Sequence, residues 1–386
     1  MAALTSLGVY IHIPICQSLC SYCDFYSIES ASINRDFWEE YYQKIIQEFQ
    51  FKLPHLQDDY ILNSIYFGGG TPSLAPPPFI EKIISFLLDN LPRKSRKIEI
   101  TIEANPETVT APAIRDFSSA GINRISMGVQ SLNDQLLRLL GRISNRNIIL
   151  KAMETLNKSS IVNWSADLIY GIPGQKEADI LDSLETLLQH EPRHISAYAL
   201  TLDNHRLVND FTGYKGKKIS DTRQYSHQKL IWGYLPDHGF THYEISNFAH
   251  KGFECLHNLA VWKYRPYLSL GTSGHSFLNH FRYRTVSDIK RYLRDPMENS
   301  VFKEKAKVVP DLLITILRLK SRQGNALFRK LLNAKEYGHF ENQLSLFYNN
   351  QWIKPENNGF IITEEGLNFS NTMLERLYDN LAEVLG

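Results

Sequence analysis

Three cysteines, Cys16, Cys20 and Cys23, lie close together near the start of the 386-residue chain, and the fourth, Cys255, lies far from them. Their spacing is CxxxCxxC, within the run Tyr10-Ile11-His12-Ile13-Pro14-Ile15-Cys16-Gln17-Ser18-Leu19-Cys20-Ser21-Tyr22-Cys23-Asp24-Phe25. Three thiolates on one short loop can each hold one iron of a cubane, whereas complete cysteine ligation of a 4Fe-4S cluster needs four. The spacing therefore points to a cluster with one open iron. An open coordination position separates a reactive metal site from a closed structural one. A zinc site built from these cysteines and His12 would use the same residue types. Structural zinc normally draws its ligands as two separated pairs, and no second pair is present. A tight cluster of this kind is no disulfide framework, and in a reducing cytosol it reads as metal-binding or catalytic.

Other residues have chemical sense at their positions. Gly68-Gly69-Gly70-Thr71-Pro72 follows an apolar strand-like run. Glycines there let the backbone approach a ligand closely and expose amide donors, although the segment alone would also read as a strand-ending turn. Glu103 and Asp167 are carboxylates in apolar strand contexts, where an unpaired charge is costly and a polar ligand would account for both. Gln130 and Arg142 could contact a ribose or a carboxylate. Their plainer roles are a satisfied strand end and a solvated charge.

Positioning these residues takes a particular scaffold. β-rich runs at 8–13, 64–68, 98–104, 124–130, 163–170 and 194–200 alternate with helical patterns at 35–51, 77–91, 111–120, 145–157 and 176–190. Alternation of this kind signals βα units and a parallel sheet. Six such units are fewer than the eight of a closed barrel, so an open, partial (β/α) barrel is predicted. In such barrels chemistry sits at the C-terminal ends of the strands, where the cysteine loop, the glycine run, Glu103, Gln130 and Asp167 all fall. The expected organisation is an α/β partial barrel over 1–203, an extension and aromatic-rich covering segment over 204–300, and a helical, winged-helix-like unit over 301–386. The 209–219 stretch reads as a polar connection and 221–235 as a helix. Helical runs follow at 311–318, 324–332 and 339–350, then a hairpin with its turn at 356–359 and a final helix. The hairpin carries only Lys354 as a basic residue, which favours a structural role over DNA binding.

Composition narrows the classes. With 42 Lys+Arg against 41 Asp+Glu the net charge is +1, so no global field draws the protein to nucleic acid or an anionic membrane. Charges interrupt the apolar runs before they reach the length of a membrane span. No Lys or Arg precedes Arg35 and no secretory pattern is visible, which makes the cytoplasm the expected address.

The cluster motif, with the aromatic Tyr22 just before its last cysteine, resembles that of the radical S-adenosylmethionine enzymes. The resemblance implies a 4Fe-4S cluster whose open iron is chelated by the amino and carboxyl groups of S-adenosylmethionine, and a six-unit partial barrel. Segments 10–25, 66–73, 98–106, 124–131, 167–173 and 195–200 are similar to the coproporphyrinogen III dehydrogenase-like branch, and the similarity runs over nearly the whole chain. In that branch the residues matching Tyr10, Tyr22, Gly69, Gly70, Thr71, Glu103, Gln130, Arg142, Asp167 and Ala199 are implied to bind S-adenosylmethionine.

The branch holds an oxygen-independent dehydrogenase and a heme chaperone. The dehydrogenase carries a further cysteine two residues after the third and a long N-terminal extension; here Phe25 stands at that position, which points to the chaperone. The expected function is then heme binding and transfer to an acceptor protein, with the acceptor and the electron donor unidentified. The alternative is radical oxidative decarboxylation of coproporphyrinogen III. Cys255-Leu256-His257-Asn258-Leu259-Ala260-Val261-Trp262 resembles the chaperone's HNxxYW signature, with Val261 in place of its tyrosine. His257 and Cys255 are candidate heme-iron ligands near Phe253, Trp262, Tyr264 and Tyr267. Lys263, Arg265 and Arg282 are candidate partners for the propionates. The plainer role of His257 and Asn258 is to tie down a loop.

Overall fold

The computed structural model describes residues 4–201, 220–297, 302–305, 314–315, 317–321, 323–324, 328–329, 332 and 334–385. The polar connection expected at 209–219 lies outside them, as does most of the helical runs expected at 311–318 and 324–332. Six parallel strands form the centre: β1 (Thr5–Ile13), β2 (Tyr60–Gly69), β3 (Lys94–Ala104), β4 (Arg124–Gln130), β5 (Trp164–Tyr170) and β6 (His194–Ala199). Between them run α1 (Phe37–Lys52), α2 (Pro77–Asn90), α3 (Ala111–Ser119), the short α4 (Asp134–Leu139), α5 (Arg146–Asn157) and α6 (Glu177–Gln189). The helix starts follow local chemistry. Proline opens α2, and the side chains of Thr110, Asn133 and Asn145 accept backbone N–H groups at the starts of α3, α4 and α5.

The covering segment extends the sheet at both lips. The residues after β6 contribute α7 (Asp221–Asp237), β7 (Thr241–Glu244), β8 (Asn247–Ala249), α8 (Leu256–Trp262), β9 (Tyr267–Leu270), β10 (His275–Leu278), β11 (Phe281–Arg284) and, past the boundary expected at 300, β12 (Phe302–Lys305), which pairs with β11. The sheet order is β12-β11-β10-β9-β1-β2-β3-β4-β5-β6-β8-β7. β9 pairs in parallel with β1, while β8 pairs antiparallel with β6, so the barrel stays open. The C-terminal part places helix Ala334–Asn349, hairpin strands Ile353–Glu356 and Gly359–Ile362, and helix Ser370–Leu385 in succession. It is tied to the extension by Glu364, which takes both His242 Nδ1 (3.0 Å) and Lys320.

Strand alternation sorts the chemistry. Val9, Ile11, Ile13, Ile65, Phe67, Ile102, Ile125, Met127 and Val129 are buried in the main apolar core. The alternate positions carry Tyr10, Ser64, Tyr66, Glu99, Glu103, Arg124, Ser126, Ser165, Asp167 and His194; among them Tyr66 bonds Glu103, Ser126 bonds Asp167 and Ser165 bonds His194 from one strand to the next. Closed barrels fill the lumen with branched apolar side chains. Here it is polar.

A second polar centre joins α1 to the extension. Glu48 and Lys52, both fully buried, pair at 2.6 Å. Glu48 also accepts from Thr285 Oγ1 (2.8 Å), the Gly271 amide (2.7 Å) and Tyr292 Oη (2.8 Å). Lys52 donates to Ser269 O (2.9 Å).

Candidate functional site

The three clustered cysteines lie on the loop after β1, all partly exposed. The loop is held from several sides. Ile15–Cys16 pairs with Ile28–Glu29, Ser21 N donates to Leu140 O (3.2 Å), and Tyr22 packs on the small apolar cluster of Leu136, Leu140, Ile169, Ile172 and Leu200. Burial pushes the Cys23 thiol up to about 11 and also raises Cys16, so a thiolate here needs a cation to hold it. Two donors meet the sulfurs: Thr71 Oγ1 donates to Cys16 Sγ (3.7 Å) and Arg142 Nη1 to Cys20 Sγ (3.9 Å). Donors facing ligand sulfurs suit an iron–sulfur cluster. Among the described residues no three His, Cys, Asp or Glu side chains converge as a single ion requires. A cubane puts each cysteine on its own iron and needs no such convergence. His12, the residue a zinc reading would use, has its ring nitrogens on Tyr26 O (2.9 Å) and Tyr10 Oη (3.2 Å).

The glycine run corrects one expectation. Its amides are not offered to a ligand: Gly69 N donates to Glu103 Oε2 (3.2 Å), Gly70 N to Ile13 O (2.8 Å) and Thr71 N to Ile15 O (2.7 Å). Close approach is nevertheless real. A Cβ on Gly70 would lie 2.7 Å from Ile15 O and 2.9 Å from Cys16 Sγ, and Gly69 has φ +116 over the His12 ring. With the amides engaged, the polar group such a segment can turn to a cationic amine is its carbonyl oxygen.

Beside it stands Glu103, which also accepts from Tyr66 Oη (2.8 Å). Burial raises its carboxyl to about 7, an effect the Tyr66 hydrogen bond opposes. Asp167 accepts from Ser126 Oγ (2.9 Å) and Ser165 Oγ (3.3 Å), and burial raises it too. Tyr10 stacks on Tyr66 with centroids 6.1 Å apart. Gln130 has φ 65, and Ser131 N donates to Val129 O across it (2.8 Å), a tight three-residue turn in a region that L residues seldom occupy. Arg142 is drawn inward by Asn105 Oδ1 and Gly128 O, each at 2.8 Å, so it is no solvated charge. Ala199, at the end of β6, is exposed. The structure thus gathers Tyr10, Gly69, Gly70, Thr71, Glu103, Gln130, Arg142 and Asp167 at or just inside the C-terminal mouth, with Tyr22 and Ala199 on its rim.

Three contributors went unread in the sequence: Tyr66, Asn105 and the serines beneath Asp167. The polar alternation Ser64/Tyr66 and Ser165/Asp167 inside apolar strands was the available signal. Asn105 had none, because its partners are distant in sequence.

Cys255 and His257 lie at the opposite, N-terminal end. Both are buried, at 0% and 6% exposure. Glu99 reaches across to accept from Cys255 Sγ (3.5 Å), Leu256 N (3.0 Å) and His257 N (3.1 Å), capping α8 against the barrel floor. His257 Nδ1 meets Ser64 Oγ (3.1 Å), and its ring lies against Tyr66. Burial lowers the His257 imidazole to about 4 and raises the Cys255 thiol to about 12, with Arg124 helping to keep the imidazole neutral. As folded, neither residue offers a ligand atom to a porphyrin at the surface. The arrangement is that of a tied-down floor.

The Radical SAM superfamily profile matches residues 10–187. A Haemophilus influenzae protein named heme chaperone HemW is 32% identical over 97% of this chain and 98% of its own length. One of the same name from Synechocystis is 36% identical over 72% of this chain and 68% of its own. Coproporphyrinogen III oxidase (HemN) from Escherichia coli, described as a radical SAM enzyme, superposes with a TM-score of 0.81 over 97% of this chain and 90% of its own, at 19% identity. That superposition bears out the six-unit partial barrel.

Proposed function

Because the chain belongs to the HemW family of radical S-adenosylmethionine proteins, we propose that it is a heme chaperone, which binds a 4Fe-4S cluster with S-adenosylmethionine and passes heme to an acceptor protein. The observation that carries this reading is the end-to-end similarity to a protein named heme chaperone, joined to a cysteine loop whose sulfurs face hydrogen-bond donors. Cys16, Cys20 and Cys23 hold the cluster. Tyr10, Tyr22, Gly69, Gly70, Thr71, Glu103, Gln130, Arg142, Asp167 and Ala199 form the S-adenosylmethionine site. The recessed carboxylates supply charge opposite to that ligand's sulfonium and ammonium groups. Cys255 and His257 would become heme ligands only if α8 left the floor, so heme seating is not assigned to them.

A second reading has one observation in its favour: the fold likeness to coproporphyrinogen III oxidase covers both chains nearly completely. Phe25 stands against it, in the position where that enzyme carries a further cysteine. Anaerobically reconstituted protein should contain iron and acid-labile sulfide, shift the Soret band on heme titration, and leave coproporphyrinogen III unchanged in the presence of S-adenosylmethionine and reductant. Turnover to protoporphyrinogen would overturn the choice, and a zinc-only preparation would remove both readings. Among the described residues no helix is long and apolar enough to cross a membrane.

A further inference from the structure

We propose that Asn105 is a positioning residue that holds Arg142 and orients the Thr71 hydroxyl as hydrogen-bond donors to two of the cluster cysteines, and so sets the cluster's reduction potential. The inference rests on the proposal that Cys16, Cys20 and Cys23 hold an iron–sulfur cluster.

The geometry is a continuous chain of contacts. Arg142 Nη2 donates to Asn105 Oδ1 (2.8 Å), and Asn105 Nδ2 donates to Thr71 Oγ1 (3.0 Å). The two ends of this chain are the sulfur contacts, Arg142 to Cys20 and Thr71 to Cys16. Its polarity follows from donor counting. A guanidinium only donates, so the Asn105 oxygen must face Arg142 and its amide nitrogen must face Thr71. A threonine hydroxyl has a single proton. Once its oxygen accepts from Asn105, that proton is left for Cys16 Sγ. One side chain thereby holds the donor to Cys20 and orients the donor to Cys16, and Gly128 O holds Arg142 in place from the other side.

Hydrogen bonds to cluster sulfurs and nearby positive charge are among the levers that set iron–sulfur potentials. Both stabilise the more negative, reduced cluster. Their loss makes reduction harder.

The test is an EPR-monitored redox titration of reconstituted protein, with iron and sulfide counted in each sample. Asn105→Ala and Thr71→Val should each retain wild-type iron and move the midpoint potential to more negative values. A tenfold loss in the equilibrium constant for one-electron reduction corresponds to about 59 mV. The double variant should shift by less than the sum of the two, since Asn105 acts partly through Thr71. Asn105→Asp is a near-isosteric second probe. Its carboxylate accepts the Thr71 proton and draws it off Cys16, so the potential should again fall. A wild-type potential in Asn105→Asp or Asn105→Ala with full iron content would overturn the proposal, as would strictly additive shifts. Wild-type protein that takes up no iron and sulfide would instead overturn the cluster assignment itself.

Discussion

Glu103 should weaken the ligand-free protein as pH rises. Its carboxyl is raised from the ordinary 4.5 to about 7, chiefly by burial. Between these values the folded protein holds a proton that the unfolded chain has released, so folded stability falls as pH increases. The contribution is intact below pH 4.5 and fully lost above pH 7. At about 1.36 kcal/mol per pH unit the loss is about 3 kcal/mol at pH 8 and about 1.4 kcal/mol at pH 5.5. Glu103→Gln removes the titration and can keep the geometry. The amide oxygen accepts from Gly69 N as Oε2 does, and the amide nitrogen donates to a reversed Tyr66 hydroxyl. The variant should therefore be more stable than wild type by those amounts in guanidinium unfolding of cluster-free protein at the two pH values. It should also bind S-adenosylmethionine more weakly, the usual exchange of stability for function at a binding site. A stability difference that does not change with pH, or a variant less stable at pH 8, would refute the reasoning.

Glu48→Gln should destabilise the protein by about 3–5 kcal/mol in a denaturant titration, because it leaves a fully buried lysine without its carboxylate. Glu39→Gln, which breaks the exposed Lys82 pair, should change the midpoint little. Cys16→Ala, Cys20→Ala and Cys23→Ala should each abolish the cluster absorbance, whereas Cys255→Ala should retain it with wild-type iron. Loss of iron in the Cys255 variant would mean that the buried thiol reaches the cluster after all.

The local signals were legible in the sequence, and the long-range ones were not. The six strands, the cysteine loop and the glycine run all announce themselves through period-two patterning and spacing within short windows. The short α4 escaped because six residues carry too little helical periodicity to register. Cys255 and His257 read as candidate heme-iron ligands because their chemistry was visible while their position was not. Only the folded chain brings Glu99 over α8 and Ser64 under the imidazole. Arg142 reads in the sequence as a ligand-binding candidate with a solvated charge as its plainer role, and the partners that settle between the two, Asn105 and Gly128, lie on other elements. The engaged amides of Gly69, Gly70 and Thr71 were equally hidden, since glycine marks close approach without saying what approaches.

The capped floor bears on how the protein is made. The six barrel strands are complete by residue 199, yet their lower opening is sealed by α8, and the outer flank of β1 is covered by β9. Until that stretch leaves the ribosome, Glu99, Arg124 and Ser64 face water and the first strand has a free edge. The N-terminal half is therefore not a finished folding unit, and a nascent chain paused before residue 270 presents a barrel open at both ends.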